Sequence, residues 1–336
     1  MRDMKMQTVL VTGGAGYVGT LLIPQLLEQG NDIIVYDTQY FGCYLKPHQK
    51  LTVIKEDIRN NAAFKKACEG VDVVLHLACI SNDPSFELDE GLSKSINYDC
   101  FEDLVKTAKE SGVKRFVYCS SSSVYGVSEA PDVTEEHPLV PLTLYNKYKG
   151  MCEPLLFKYQ DDSFTCVTIR PATICGYSPR MRFDLSVNIL TNHAVNNRKI
   201  SVFGGSQLRP NLHIQDMCNV YKLMLQAPRE KIQGQTFNIG YQNQSISQLA
   251  EIVRDVVENE FPENSQIDIE TVASNDLRSY HINSDKIKDI LGFSPLHTIE
   301  DAVRDICRAF KENKFVDSMN NPEYINVRNL KTTKAA

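Results

Sequence analysis

The sequence predicts an α/β fold: a parallel sheet wrapped by helices on both faces, followed by a smaller lobe of mixed strands and helices. Three observations carry this. Short apolar runs alternate with helical periodicity through the first half of the chain. The runs are apolar at consecutive positions, as in strands covered on both sides. After Pro171 the rhythm loosens into irregular segments interspersed with helices.

The elements follow in order. "QTVLVT" (7–12) reads as a buried strand, then a glycine turn, then "YVGTLLIPQLLEQG" as a helix ended by Gly30. "DIIVYD" (32–37) and "LTVIKED" (51–57) are strands, "NAAFKKACEG" a helix and "VDVVLHLA" (71–78) a strand. One long helical stretch covers 88–111, then come strand "KRFVYCS" (114–120), helix 143–160 and strand "FTCVTIR" (164–170). Residues 171–182 and 204–213 read as irregular, with helices near 183–196, 214–227, 245–259, 283–291 and 298–313. "QTFNIG" (235–240) is a strand that can return to the main sheet. The expected division is 5–171 plus about 213–240 for the first domain, and about 172–212 plus 241–316 for the second lobe. Residues 317–336 form a polar tail expected to fray.

Composition narrows the function. The chain has 336 residues, 42% hydrophobic and 23% charged, with net charge -6, which argues against nucleic acid as main partner. No apolar run reaches the ~20 residues of a membrane span. The opening residues pass directly into a strand, without the apolar core of a secretory leader. Ten cysteines show no C-x-x-C and no histidine at zinc spacing, so the expectation is no metal, and buried thiols in a cytoplasmic protein.

"VLVTGGAGYVGTLLI" places Gly13, Gly14, Gly16 and Gly19 between a strand and a helix. Gly13 and Gly16 suit a tight turn with close backbone approach to a pyrophosphate, and Gly19 suits helix–strand packing. The helix start offers free N–H groups and a positive dipole end to phosphate. Asp37 ends the second strand; a carboxylate there accepts ribose hydroxyls and repels a 2′-phosphate, favouring NAD over NADP. Asp57 can meet the adenine amine or cap the next helix.

"LTLYNKYKG" (142–150) carries two tyrosines and two lysines. Only Tyr145 and Lys149 are four residues apart, on one face of a helix. A phenol with a reference pKa of ~10 needs help to act as a base at neutral pH. A neighbouring ammonium and a positive nicotinamide would supply it. Lys149 can also hold the nicotinamide ribose. The serines of "YCSSSSVYG" (118–126) follow a strand, at the sheet edge where such folds bind ligands.

With "HLAC", "INYD", "RPATICGYSPR" and "LRPNLHIQD" in the same order, the sequence resembles the extended short-chain dehydrogenase/reductase family, in particular its nucleotide-sugar epimerases and dehydratases, over roughly residues 7–310. The resemblance implies a Rossmann doubly wound sheet with bound NAD and a C-terminal lobe for a nucleotide-diphosphate sugar. It also implies a homodimer formed through the helices near 95–111 and 143–160. Carried over by position, Ser121, Tyr145 and Lys149 are catalytic. Tyr17, Val18, Ile58, Leu77, Ala78, Cys79, Asn97 and Pro171 join the glycines and Asp37 at the cofactor. Ser81, Ser122, Ser123, Thr173, Asn188, Arg209 and Arg278 face the substrate. Arg180 and Arg182 face the substrate or pair at the surface.

Departures from the family narrow the reaction. Dehydratases have Asp-Glu right after the catalytic Ser/Thr; here those positions are Ser122 and Ser123. The 3,5-epimerases and epimerase-reductases have a cysteine where Ser123 stands. What the resemblance leaves is hydride chemistry at C4 of a hexose or heptose: epimerisation, or dehydrogenation/keto-sugar reduction without it.

Overall fold

A computed structural model of the chain describes residues 6–264, 266–274 and 279–333. In chain order the strands are β1 (Thr8–Thr12), β2 (Asp32–Asp37), β3 (Leu51–Lys55), β4 (Val73–His76), β5 (Arg115–Cys119), β6 (Thr165–Pro171), β7 (Thr173–Cys175), β8 (Lys199–Phe203), β9 (Leu208–His213), β10 (Gln235–Ile239), β11 (Gln242–Ser245) and β12 (Asp268–Val272).

Seven of them form one sheet in the order β10-β6-β5-β4-β1-β2-β3, every pair parallel. Consecutive apolar residues in a strand serve opposite faces. Val9, Val11, Ile33 and Val35 pack beneath the helices Gly19–Glu28 and Ile214–Gln226. Leu10, Tyr36, Val74 and Phe116 pack beneath Asn61–Ala67, Phe101–Glu110 and Leu144–Phe157. The sheet is thus doubly wound. The chain reverses direction of winding between β1 and β4, which opens a crevice at the carboxyl ends of those strands.

β10 does return to the main sheet, beside β6. A smaller sheet, β11-β9-β7, mixes antiparallel and parallel pairs, and β12 pairs with β8. The helices Ser186–Asn197, Ile246–Glu260 and Ile299–Lys311 enclose a separate apolar cluster around β8. These short strands escape the sequence reading for physical reasons. β11 (QNQS) has no apolar pattern, and Pro210 interrupts β9.

The long helix expected over 88–111 is broken. Glu90–Lys94 runs into a π-helical turn, Ser95–Asp99, before Phe101–Glu110. Asn97 lies in that turn, and its amide bonds both the N–H and the C=O of Ile80, at 2.8 and 2.9 Å. Seating that side chain between the layers is what the wide turn achieves. The tail is also ordered further than expected. Residues Pro322–Tyr324 form a helical turn and Asn326–Thr333 a helix, held by Phe315 and Tyr324 packing on Phe183.

The helix Leu144–Phe157 is fixed to the sheet by a buried ion pair. Glu153 takes a bidentate bond from Arg170 of β6, at 3.0 and 2.6 Å, and accepts the Ser120 hydroxyl at 2.6 Å. Removing one member leaves the other charge buried and alone. Glu153→Gln is therefore expected to lower unfolding free energy by about 3–5 kcal/mol in chemical denaturation; a loss under about 1 kcal/mol would contradict this reading.

Candidate functional site

The crevice widens into a cleft of about 620 Å³. The glycine turn forms its floor. Gly13 has φ +73°, and a Cβ there would sit 2.7 Å from the Ala78 nitrogen; a Cβ on Gly19 would sit 2.2 Å from the Gly14 oxygen. No side chain caps the start of the helix Gly19–Glu28; the Thr20 N–H turns back to the Gly16 carbonyl and the Leu21 and Leu22 N–H groups to that of Val18. Gly16, Tyr17, Val18, Leu77, Ala78 and Cys79 line the same floor, with Ile58 and Pro171 at its sides.

Asp37 closes one end. Its carboxylate accepts the Ala15 N–H at 3.0 Å and the Gln39 N–H at 2.7 Å. Burial raises its pKa, while those two N–H bonds and Arg180 oppose the rise. Asp57 also lines the cleft, but it does not cap the next helix: Asn60 does, accepting the Ala63 N–H. Arg59 engages both Asp57 oxygens, at 3.0 and 2.7 Å, and holds the carboxyl below its usual range.

The opposite wall carries the expected catalytic group. Lys149 is 3% exposed. Its ammonium donates to the Cys119 carbonyl at 2.6 Å and lies 5.2 Å from the centre of the Tyr118 ring. Tyr145, one turn earlier, lines the cleft beside Phe86. Burial pushes the Tyr145 phenol well above its ordinary value, with Arg182 opposing. The neighbouring Lys149 ammonium donates to the Cys119 carbonyl.

Ser121, Ser122 and Ser123 line the cleft next to Tyr145. The Ser123 hydroxyl donates to Asn146 Oδ1. Its single proton is thereby committed, so in the 2.7 Å contact between Ser121 and Ser123 it is Ser121 that donates. The Ser121 oxygen also accepts the Ser123 N–H, at 3.2 Å. Asn146 was absent from the sequence reading; its position directly after Tyr145 on the helix was the available signal.

Above the floor, Arg182 pairs with Asp184 at 2.8 and 3.1 Å and donates to Ser81 at 3.1 Å. Thr173 and Arg209 line the outer part of the cleft, and the Arg209 guanidinium lies 5.2 Å from the centre of the Tyr280 ring. Two expectations change. Asn188 is not at the cleft wall. It is fully buried, and its amide bonds the Tyr17 hydroxyl, the Arg182 carbonyl and the Gly176 N–H. It supports the cleft from behind because the helix Ser186–Asn197 turns that face inward. Asn97 likewise braces Ile80 from below. Arg278 lies outside the described residues. Arg180 and Asn326 line the cleft as well; Asn326 was missed because the tail looks polar, although Phe315 and Tyr324 mark an apolar anchor there.

The glycine floor, the uncapped helix start and the carboxylate at the end of β2 fit a dinucleotide, with room beyond Tyr145 for a second ligand. That is the architecture of a dinucleotide-dependent enzyme. The chain belongs to the NAD dependent epimerase/dehydratase family, whose model matches residues 9–240. A UDP-glucose 4-epimerase of Lactobacillus helveticus is 26% identical, covering 91% of this chain and 97% of its own. One from Halalkalibacterium halodurans is 28% identical, covering 85% and 90%. Among solved structures, the UDP-N-acetylglucosamine 4-epimerase of Methanobrevibacter ruminantium M1, in complex with UDP-N-acetylmuramic acid, shares the fold with TM-score 0.81 at 23% identity, covering 92% of this chain and all of that one.

Asp37→Ala is expected to weaken NAD binding about tenfold to a hundredfold, the worth of charge-assisted hydrogen bonds to two hydroxyls, and to narrow the preference over NADP. Isothermal titration with both dinucleotides measures this; an unchanged NAD affinity would overturn the role given to Asp37.

Proposed function

We propose that this protein is an NAD-dependent nucleotide-sugar epimerase acting at C4 of the hexose. The observation that carries the reading is the meeting of Ser121, Tyr145 and Lys149 at one wall of the cleft whose floor is the glycine turn. The names of its relatives support the epimerase outcome and make UDP-glucose the first substrate to try.

Bound NAD supplies the acceptor, and then the donor, of the hydride at C4. The chain's residues do the rest. Tyr145 takes the C4 hydroxyl proton as a phenolate and returns it after the 4-keto sugar has turned over. Because burial opposes that phenolate, its formation depends on positive charge, which Lys149 provides from the protein side. Ser121 fixes the same oxygen by turning its hydroxyl from Ser123 to donate to it, since the single proton of the C4 hydroxyl goes to Tyr145. Arg209 takes the sugar-nucleotide diphosphate. Ser122 and Ser123 carry no acid or base for eliminating water, which speaks against a dehydratase.

The same reading includes a homodimer through the helices Phe101–Glu110 and Leu144–Phe157, supported by the exposed Met151 on the second of them. A cytoplasmic location is supported by ten cysteines that are all free.

Incubation with UDP-glucose and analysis of the sugar tests the proposal. A C4 epimer with no net reduction of the cofactor is expected; a keto sugar with stoichiometric cofactor reduction would make it a dehydrogenase instead. Tyr145→Phe should lower kcat about 10²–10⁴-fold with substrate affinity retained, and full turnover in that variant would remove Tyr145 from the chemistry. In the wild type, kcat/KM should rise with pH as the phenol ionises. Lys149→Ala should move that rise about one unit or more to higher pH; a superimposable profile would remove Lys149 from the charge balance.

A further inference from the structure

Arg180 is the least satisfied charge around the cleft. It is 3% exposed, and its Nε has no hydrogen-bond partner among the described residues. Nor does any described carboxylate pair with it at ion-pair distance, in contrast to Arg182, whose partner is Asp184. Its guanidinium lies 4.1 Å from the centre of the Phe41 ring, four residues past Asp37. Burial, and next Arg182, lower its pKa to about 9, so it remains a cation at neutral pH. A buried cation without a paired anion is unfavourable; Asp184 and Asp37 act on this one from beyond ion-pair distance, and it lines the cleft on the Asp37 side, where the glycine turn lies.

One side chain fixes where it lies. Asn326, 3% exposed and first in the C-terminal helix, accepts Arg180 Nη2 through Oδ1 at 2.5 Å. Its Nδ2 donates to Ser81 Oγ at 2.9 Å and its backbone N–H donates to Asp184 Oδ2 at 3.1 Å. The Phe183 N–H donates to the Tyr324 carbonyl at 2.8 Å, so the C-terminal segment and the segment carrying Arg180 are tied side by side.

We propose that Asn326 is a positioning residue for the dinucleotide: from the C-terminal helix it holds Arg180 over the cleft so that the guanidinium meets the cofactor's diphosphate. Arg180 presents a fork suited to phosphate oxygens, and a neutral amide positions it without cancelling its charge. The C-terminal segment thereby becomes part of the cofactor site. This rests on the NAD dependence given above.

The test is a double-mutant cycle on NAD affinity with the full-length chain. Asn326→Ala should raise the NAD dissociation constant about tenfold and Arg180→Ala more, with the double variant no weaker than Arg180→Ala alone. Turnover at saturating NAD should stay within about twofold for Asn326→Ala, a KM-type effect that a general loss of fold would not give. Asn326→Asp keeps the size of the side chain but puts a carboxylate on Arg180. It should bind NAD more weakly than wild type even while its melting temperature is held or raised. Unchanged NAD affinity in Asn326→Ala or Asn326→Asp, or additive losses in the cycle, would overturn the proposal alone. A wild-type chain that binds no NAD would overturn the cofactor reading and this proposal with it.

Discussion

A lysine ammonium almost wholly removed from water governs the layout of this molecule. Lys149 can stay charged there only if polar groups meet it, and the structure supplies the Cys119 carbonyl and the face of Tyr118, both from β5. That demand fixes the helix Leu144–Phe157 against the carboxyl end of the strand. Tyr145, Lys149 and Glu153 follow one another at four-residue steps on the same face. The first looks into the cleft, the second reaches the strand end, and the third closes the buried pair with Arg170 of β6. The group offered to a ligand and the groups that anchor its helix therefore share one rigid element.

The serines after β5 show how a similar frame is restricted to simpler chemistry. The resemblance that guides the reading puts a carboxylate pair, in dehydratases, where this chain has Ser122 and Ser123. Ser123 is occupied in another way: its hydroxyl donates to Asn146 Oδ1 and accepts from Ser121. This orders the Ser121 hydroxyl without introducing a proton donor strong enough for elimination. The hydrogen-bond chain and the missing carboxylates thus point to the same limited reaction.

Much of the Rossmann sheet was legible because strands buried on both faces write themselves as continuous apolar runs, as in Val9–Val11 and Val73–Leu75. The glycine turn and Asp37 were legible for a related reason: few other residues suit close backbone approach or the end of a second strand. Several features were not. Lone polar strands such as β11 take their place from neighbours across the sheet rather than from their own pattern. Asn97 breaks a helix through a contact with Ile80, seventeen positions away. Asn188 and Asn326 have the same side chain, yet one sits behind the cleft and the other lines it, which only tertiary packing decides. The spacing of Tyr145 and Lys149 shows that a cation is near but not which atom it bonds, here the Cys119 carbonyl.

In the proposed reaction a single hydrogen leaves C4 of the sugar and comes back to the same carbon while a phenol handles only the hydroxyl proton. UDP-glucose deuterated at C4, turned over in ordinary water, measures this directly. The C4 epimer is expected to retain its deuterium at C4. Loss of that deuterium to water would mean that the carbon is deprotonated by a base, and would contradict the chemistry assigned to Tyr145, Lys149 and Ser121.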